Sequence, residues 1–166
     1  NEHYRTGDRI KVYVKEVKTS PKGPEIILSR TSEEISKKVF YLEIPEISNG
    51  LIEIKGVARE AGSRSKVAVL ATSDNIDPIG SCVGQRGARI QTIIQELGGE
   101  KIDIIEYSDD EKEYIANALA PAKILDVELD EAEKRAVIKV AADQLSLAIG
   151  KQGQNVRLAA RLTGWK

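Results

Sequence analysis

Residues 83–90, Val83-Gly84-Gln85-Arg86-Gly87-Ala88-Arg89-Ile90, align with residues 149–156, Ile149-Gly150-Lys151-Gln152-Gly153-Gln154-Asn155-Val156, at an offset of 66. Leu97-Gly98-Gly99-Glu100-Lys101 aligns with Leu162-Thr163-Gly164-Trp165-Lys166 at an offset of 65. A repeat at this period means that one structural unit has been made twice. The 166 residues therefore have to hold two copies of a small domain, with about thirty residues in front of them.

The pattern along the chain fills in that division. In residues 1–30, Ile10, Val12 and Val14 fall two apart, Ser20-Pro21-Lys22-Gly23-Pro24 is a turn, and Ile26-Ile27-Leu28 resumes, which predicts a β-hairpin with a longish loop. Two strands cannot bury their own apolar face, so the hairpin has to pack on something else. Residues 31–108 open with a capped helix start, Thr31-Ser32-Glu33-Glu34, running toward Leu42 and stopping near Pro45. Strands follow at 51–59 and 65–72, split by Gly62. Asp77-Pro78 is an N-cap with proline at the first helical position, which starts a short helix reaching Val83. After Gly84-Gln85-Arg86-Gly87, a second helix carries Ile90, Ile93, Ile94 and Leu97 on one face, and a strand with Ile102, Ile104 and Ile105 closes the unit.

Residues 109–166 repeat the order: a helix at 110–119, strands at 123–129 and 135–141, and a helix from an Asp143 cap to Ile149. Gly150-Lys151-Gln152-Gly153, a helix from Gln154 to Leu162, and Gly164 as its stop complete it. The stretch before the motif is about four residues longer in the first copy, and the last strand of the second copy is expected beyond Lys166. The expected class is α+β, with two tandem α-β-β-α-α-β units behind a hairpin. An opening Asn1 and the absence of Met suggest a piece of a longer chain or a processed product.

Composition narrows the function. With 41% hydrophobic and 31% charged residues, and a longest apolar run of only Val67 to Ala71, neither a disordered tail nor a membrane-spanning protein is expected. A single cysteine, Cys82, forbids an internal disulfide; together with the lack of a signal peptide this points to the cytoplasm. The net charge of −1 advertises no polyanion, but its distribution does. Residues 79–95 and 144–166 contain no acid while carrying Arg86, Arg89, Lys151, Arg157, Arg161 and Lys166. Residues 1–30 add seven Lys or Arg against four acids.

A lone Gly-x-x-Gly arises about once per chain of this composition by chance. Here both copies follow an aliphatic residue, precede Ile or Val by three positions, lie between two helices and carry a cation. Glycines at both ends remove Cβ atoms, so an extended backbone can approach. The following helix points unpaired N–H groups and its positive dipole end at that backbone. Such a turn grips sugar-phosphate without reading sequence, which is left to bases in the groove beside it.

These residues resemble two bacterial type II KH domains, modules in which a Gly-x-x-Gly loop clamps four nucleotides of backbone. The hairpin, Gly7-Asp8-Arg9-Ile10-Lys11-Val12-Tyr13-Val14 through Pro24-Glu25-Ile26-Ile27-Leu28-Ser29-Arg30, is similar to the last strands of an S-one-type OB-fold. An S-one-type domain followed directly by tandem KH domains resembles the NusA family of transcription elongation factors, as do Glu100-Lys101-Ile102-Asp103-Ile104 and Gln144-Leu145-Ser146-Leu147-Ala148-Ile149-Gly150. The resemblance implies binding of single-stranded RNA, the nascent transcript, and modulation of RNA polymerase pausing, termination and antitermination. It implies polymerase contact mostly through parts of the parent protein outside these residues, and neither cofactor nor membrane. It carries Gly84, Gly87, Gly150 and Gly153 over as phosphate-approach glycines, and Gln85, Arg86, Lys151 and Gln152 as phosphate contacts. Arg89 and Arg157 lie on the following helices and join the RNA-binding set. Tyr13 is the one candidate for stacking on a base, while Cys82 and Trp165 are expected to pack.

Two other readings compete. An enzyme needs a nucleophile with a base or a metal cluster, yet His3 is the only histidine and Cys82 has none near it in sequence. No Gly-Lys-Ser/Thr completes a P-loop, and the acids Asp109, Asp110, Glu111 and Glu113 suit the first turn of a helix as well as a metal. An RNA-degrading enzyme of the polynucleotide phosphorylase kind joins the same domain types in the reverse order. A protein-binding scaffold is the other reading, separable by the salt dependence of binding to single-stranded RNA and to a duplex.

Overall fold

The computed structural model describes residues 2–166. Tyr13–Ser20 (β1) and Gly23–Ser29 (β2) form an antiparallel hairpin, paired from Ser20 opposite Gly23 to Tyr13 opposite Ser29. The turn is tighter than the sequence suggests. Gly23 takes φ +111° and its carbonyl accepts from the Ser20 hydroxyl at 2.8 Å, so only Pro21 and Lys22 remain outside the ladder. Ile10 and Val12 precede the first strand pair, and Val14, Val17, Ile26 and Leu28 are exposed. Arg30 ties the base of the hairpin down, with Nη1 donating to the carbonyls of Lys11 at 2.7 Å and Glu96 at 3.1 Å while the guanidinium pairs with Glu2.

Glu33–Glu43 (α1) starts where the Ser32 hydroxyl accepts from the Glu34 N–H. Pro45 ends it and opens a one-turn helix, Pro45–Ser48 (α2), which the sequence reading lacks. Ile52–Glu60 (β3) and Arg64–Ala71 (β4) are antiparallel, and Lys101–Glu106 (β5) lies parallel to β4, giving the order β3-β4-β5. Pro78–Val83 (α3) is capped by the Asp77 carboxylate, and Ala88–Glu96 (α4) follows the first glycine loop. Phe40, Ile44, Ile52, Val67, Val69, Cys82, Ile93 and Leu97 form the first core. Ile94, expected inside it, is only partly buried at its margin. Burial pushes the Cys82 thiol up to about 12, so it stays protonated at neutral pH.

The opposite face of the same sheet belongs to the second repeat. Glu111–Ala118 (α5) and Gln154–Thr163 (α7) pack against β5 and against β3 and β4. Ala68 on β4 and Ile105 on β5 join Tyr114, Ile115, Leu119, Val127, Ala159 and Trp165 in a second core. This explains the apolar run at residues 67–71: β4 is a central strand covered on both faces. Gly56 admits α7, since a Cβ there would stand 3.3 Å from Leu162 Cδ1. Lys66 is fully buried at this seam, donating to Asp103 Oδ2 at 3.0 Å and across to the Ala120 carbonyl at 2.8 Å. Burial pulls its pKa down, and Asp103 opposes that.

Asp126–Asp130 (β6) and Arg135–Lys139 (β7) form the second repeat's own antiparallel pair, starting three residues later than the pattern suggests. Lys166 lies beside β7, its N–H on the Lys134 carbonyl at 2.8 Å and its carbonyl accepting from Ala136 at 2.9 Å. Leu145–Ile149 (α6) begins after a 3-10 turn at Ala142–Gln144 that contains Asp143, so Asp143 sits inside the turn and caps no α-helix. That turn absorbs residues, and the first copy is two longer before the loop, at 72–83 against 140–149.

Candidate nucleic-acid interface

The two glycine loops share one backbone. Gly84 and Gly150 have φ, ψ of 77°, 174° and 78°, 170°. Arg86 and Gln152 sit at 54°, 26° and 54°, 29°, and Gly87 and Gly153 at 74°, 16° and 73°, 14°. Each loop closes with a hydrogen bond of 3.1 Å, Gly87 N–H to Gly84 O and Gly153 N–H to Gly150 O. Three of the four residues in each loop lie at positive φ, and the non-glycine among them, Arg86 or Gln152, has a cost that a loop keeps only when it is held from outside.

The glycines divide into two kinds. A Cβ on Gly84 would lie 2.8 Å from Arg89 Cγ, and one on Gly150 would lie 2.8 Å from Asn155 N and Cβ. The first glycine of each loop is thus required by the helix behind it. At Gly87 and Gly153 a Cβ would meet nothing nearer than Ile90 Cγ2 at 3.8 Å or Val156 Cγ2 at 4.0 Å. Their outer face is open, and no side chain caps α4 or α7; the first N–H of each helix, at Ala88 and Gln154, turns back onto the Gln85 and Lys151 carbonyls.

Gln85, Arg86, Lys151 and Gln152 are all exposed on the loops, and Arg86 and Lys151 make no salt bridge among the described residues. Arg89 and Arg157 are placed differently. Arg89 Nη1 donates to Glu46 Oε2 at 2.7 Å and to the Ser81 carbonyl at 2.9 Å. Arg157 pairs with Glu60 through Nε, and its Nη1 donates to the Gln152 carbonyl at 3.0 Å. Arg157 therefore braces its loop directly, while Arg89 ties the helix before its loop to the helix after it. Tyr13 packs partly buried against the first core.

Asn155 is the residue that reading by charge missed. Fully buried, it donates from Nδ2 to the carbonyls of Leu119 at 3.0 Å, Leu147 at 3.4 Å and Ala148 at 2.9 Å. The 66-residue offset places it opposite Arg89, and that alignment was the available signal. The floors beside the loops also differ. An open groove of about 560 Å³ at the first is lined by Asp77, Gly80, Ser81, Gln85, Ala88 and Arg89. Beside the second loop Leu145, Leu147, Ile149 and Val156 are exposed.

The loops stand at different places along the first repeat's sheet. Gln154, immediately after the second loop, donates from Nε2 to Glu60 Oε2 and lies 2.7 Å from Ser63 Oγ at the β3–β4 turn. The start of β5, which follows α4, meets that same turn, with Lys101 N–H on the Ser63 carbonyl. The first loop opens the other end of α4.

Comparison with known proteins decides the family. A family model for the NusA-like first KH domain matches residues 30–107, and one for the NusA-like second KH domain matches residues 111–166. The chain belongs to the NusA family. The transcription termination/antitermination proteins NusA of Halalkalibacterium halodurans and Bacillus subtilis are each 55% identical over all 166 residues, which cover 44% and 45% of those proteins. That of Thermus thermophilus is 54% identical over 99% of this chain and 42% of its own. The chain thus spans less than half the length of these NusA relatives. The crystal structure of APE1850 is similar with a TM-score of 0.55 at 25% identity, over 77% of this chain and 86% of that one. The observed α-β-β-α-α-β order of the first unit, and its repetition through α7 in the second, are those of tandem NusA-like KH domains.

Proposed function

We propose that this NusA-family chain binds single-stranded RNA on a surface that carries both glycine loops. The observation behind this reading is the shared left-handed backbone of the two loops, each with an exposed cation, Arg86 or Lys151, in an acid-free stretch. Gly87 and Gly153 leave open space where a sugar-phosphate backbone would pass, Gln85 and Gln152 flank it, and the helix N-termini behind them favour anions. Bases would lie in the adjoining grooves, polar beside Ser81 and aliphatic beside Leu147. The assignment is binding and not catalysis.

The whole protein would then act on transcription, in termination and antitermination as the names of its relatives state and in pausing as the family resemblance implies, with the nascent transcript as the RNA and polymerase contacts mostly outside these residues. None of the described helices is long and apolar enough to cross a membrane, which suits the proposed cytoplasmic setting. The exposed apolar side chains of β1 and β2 suit the proposed OB-fold origin of the hairpin, which would cover them in the whole protein.

Fluorescence anisotropy with single-stranded RNA and an equal-length duplex, over a range of salt, tests this. Binding to the single strand should weaken with a slope of about −0.7 per phosphate neutralised. A salt-independent interaction, or equal affinity for the duplex, contradicts the phosphate clamp.

A further inference from the structure

We infer that Glu60, at the end of β3 in the first KH domain, is a positioning residue for the glycine loop of the second, so that the second loop is preorganised by its neighbour while the first supports itself. The inference rests on the RNA-binding reading above. Glu60 reaches the loop by two routes. Its Oε2 accepts from Gln154 Nε2 at 2.7 Å, fixing the first residue of α7. Its Oε1 takes the Arg157 guanidinium, whose Nη1 in turn holds the Gln152 carbonyl at 3.0 Å. Gln152 is the loop's non-glycine residue at positive φ, the one whose conformation most needs holding. Both bonds favour the ionised carboxylate and lower the Glu60 pKa, Arg157 more than Gln154.

The first loop has no brace from the other domain, since Arg89 and its partner Glu46 both belong to the first. At the 66-residue offset, Gln154 corresponds to Ala88 and Arg157 to Gln91. Ala88 has no polar group, and exposed Gln91 makes no bond to its loop among the described residues. Arg86 nevertheless sits at the same φ as Gln152, so the two loops reach one geometry by different means. Arg157 is thereby committed to Glu60 and Gln152, and Lys151 is left as the phosphate-facing cation of the second loop.

Glu60→Asp tests this directly, because it keeps the charge and shortens the reach. Without RNA, amide exchange at Gly153 should speed up while Gly87, the equivalent loop amide, stays as it was. RNA spanning both loops should bind about two- to fivefold more weakly, the range expected from loss of one solvent-accessible pair, at an unchanged salt slope. Arg157→Lys should give the same loss, and the double variant little more. The inference is overturned if Glu60→Asp leaves Gly153 exchange and affinity untouched. It is also overturned if Glu60→Gln tightens RNA binding with a steeper salt slope, since Arg157 would then be a phosphate ligand that Glu60 restrains. Exchange is read without RNA, so failure of the unsubstituted chain to bind RNA would sink the RNA reading separately from the brace.

Discussion

Arg89 and Asn155 occupy the same position in the two repeats, and each donates to the carbonyl three residues ahead of its loop, Arg89 to Ser81 and Asn155 to Leu147. One is a cation partnered by Glu46, the other a neutral amide with no access to solvent. What the repeats keep in common at this position is a donor that ties the helix before the loop to the helix after it. Charge is incidental to that job.

This separates Arg89 from Arg86. Arg86→Ala should weaken RNA binding and make the salt slope shallower by about 0.7, since one phosphate contact is lost. Arg89→Met should leave the salt slope alone. Asn155→Ala should strand buried carbonyl groups and lower unfolding stability by about 1–3 kcal/mol, read by urea denaturation. A change of salt slope with Arg89→Met equal to that with Arg86→Ala would return Arg89 to the set of direct contacts.

The glycines should also separate. Gly84→Ala and Gly150→Ala combine positive φ with contacts of 2.8 Å, and should lower the melting temperature through about 1–3 kcal/mol of strain. Gly87→Asp and Gly153→Asp meet open space, and Asp tolerates the left-handed region, so both variants should melt cooperatively yet bind RNA poorly. Equal loss of stability in all four would make every glycine a purely structural turn residue.

At the other end of the first domain, the Arg30 guanidinium holds the Glu2 carboxyl down at about 2, against an ordinary 4.5. A carboxylate whose folded pKa is depressed stabilises the docked state above its unfolded value and loses that contribution as pH falls toward the folded one. Docking of residues 2–11 should therefore hold at pH 5 and loosen progressively toward pH 2. Carbon-detected NMR titration of Glu2 gives the midpoint, which Arg30→Ala should return to near 4.5. A Glu2 midpoint unaffected by Arg30→Ala contradicts this.

Much of this was legible because local rules and tertiary structure agree. The cap at Asp77 followed by Pro78, the Ile90–Ile93–Leu97 face and the Gly164 stop each place an element correctly from chemistry confined to a few residues. The α+β class and the pairing of two like units followed from the repeat, and their KH identity from the family resemblance. What escaped depends on contacts between distant segments. No local pattern announces that Lys66 is buried at a seam facing Ala120, or that Glu60 reaches Arg157, because those partners lie 54 and 97 positions apart. Residue type alone makes Asp143 a cap, yet the chain makes a 3-10 turn there and the helix starts two residues later. Within the site, loop residues were readable from the motif, whereas the bracing by Arg89, Asn155 and Arg157 required the packing of helix on helix.

On the RNA-binding reading, two loops held in fixed relation act as one surface. Four residues separate β5 from α5, and α5 and α7 are packed on the first domain's sheet, so no flexible tether intervenes. A rigid pair gains from high effective concentration only when one ligand reaches both sites. Calorimetry with a four-nucleotide RNA and with one long enough to span both loops, on the unsubstituted chain and on Gly87→Asp and Gly153→Asp separately, tests this most directly. The long RNA should bind at least about tenfold more tightly than the short one, at four nucleotides per loop, and either substitution should bring it close to short-RNA affinity. Loss of one loop with no loss of affinity for the long RNA would contradict the account.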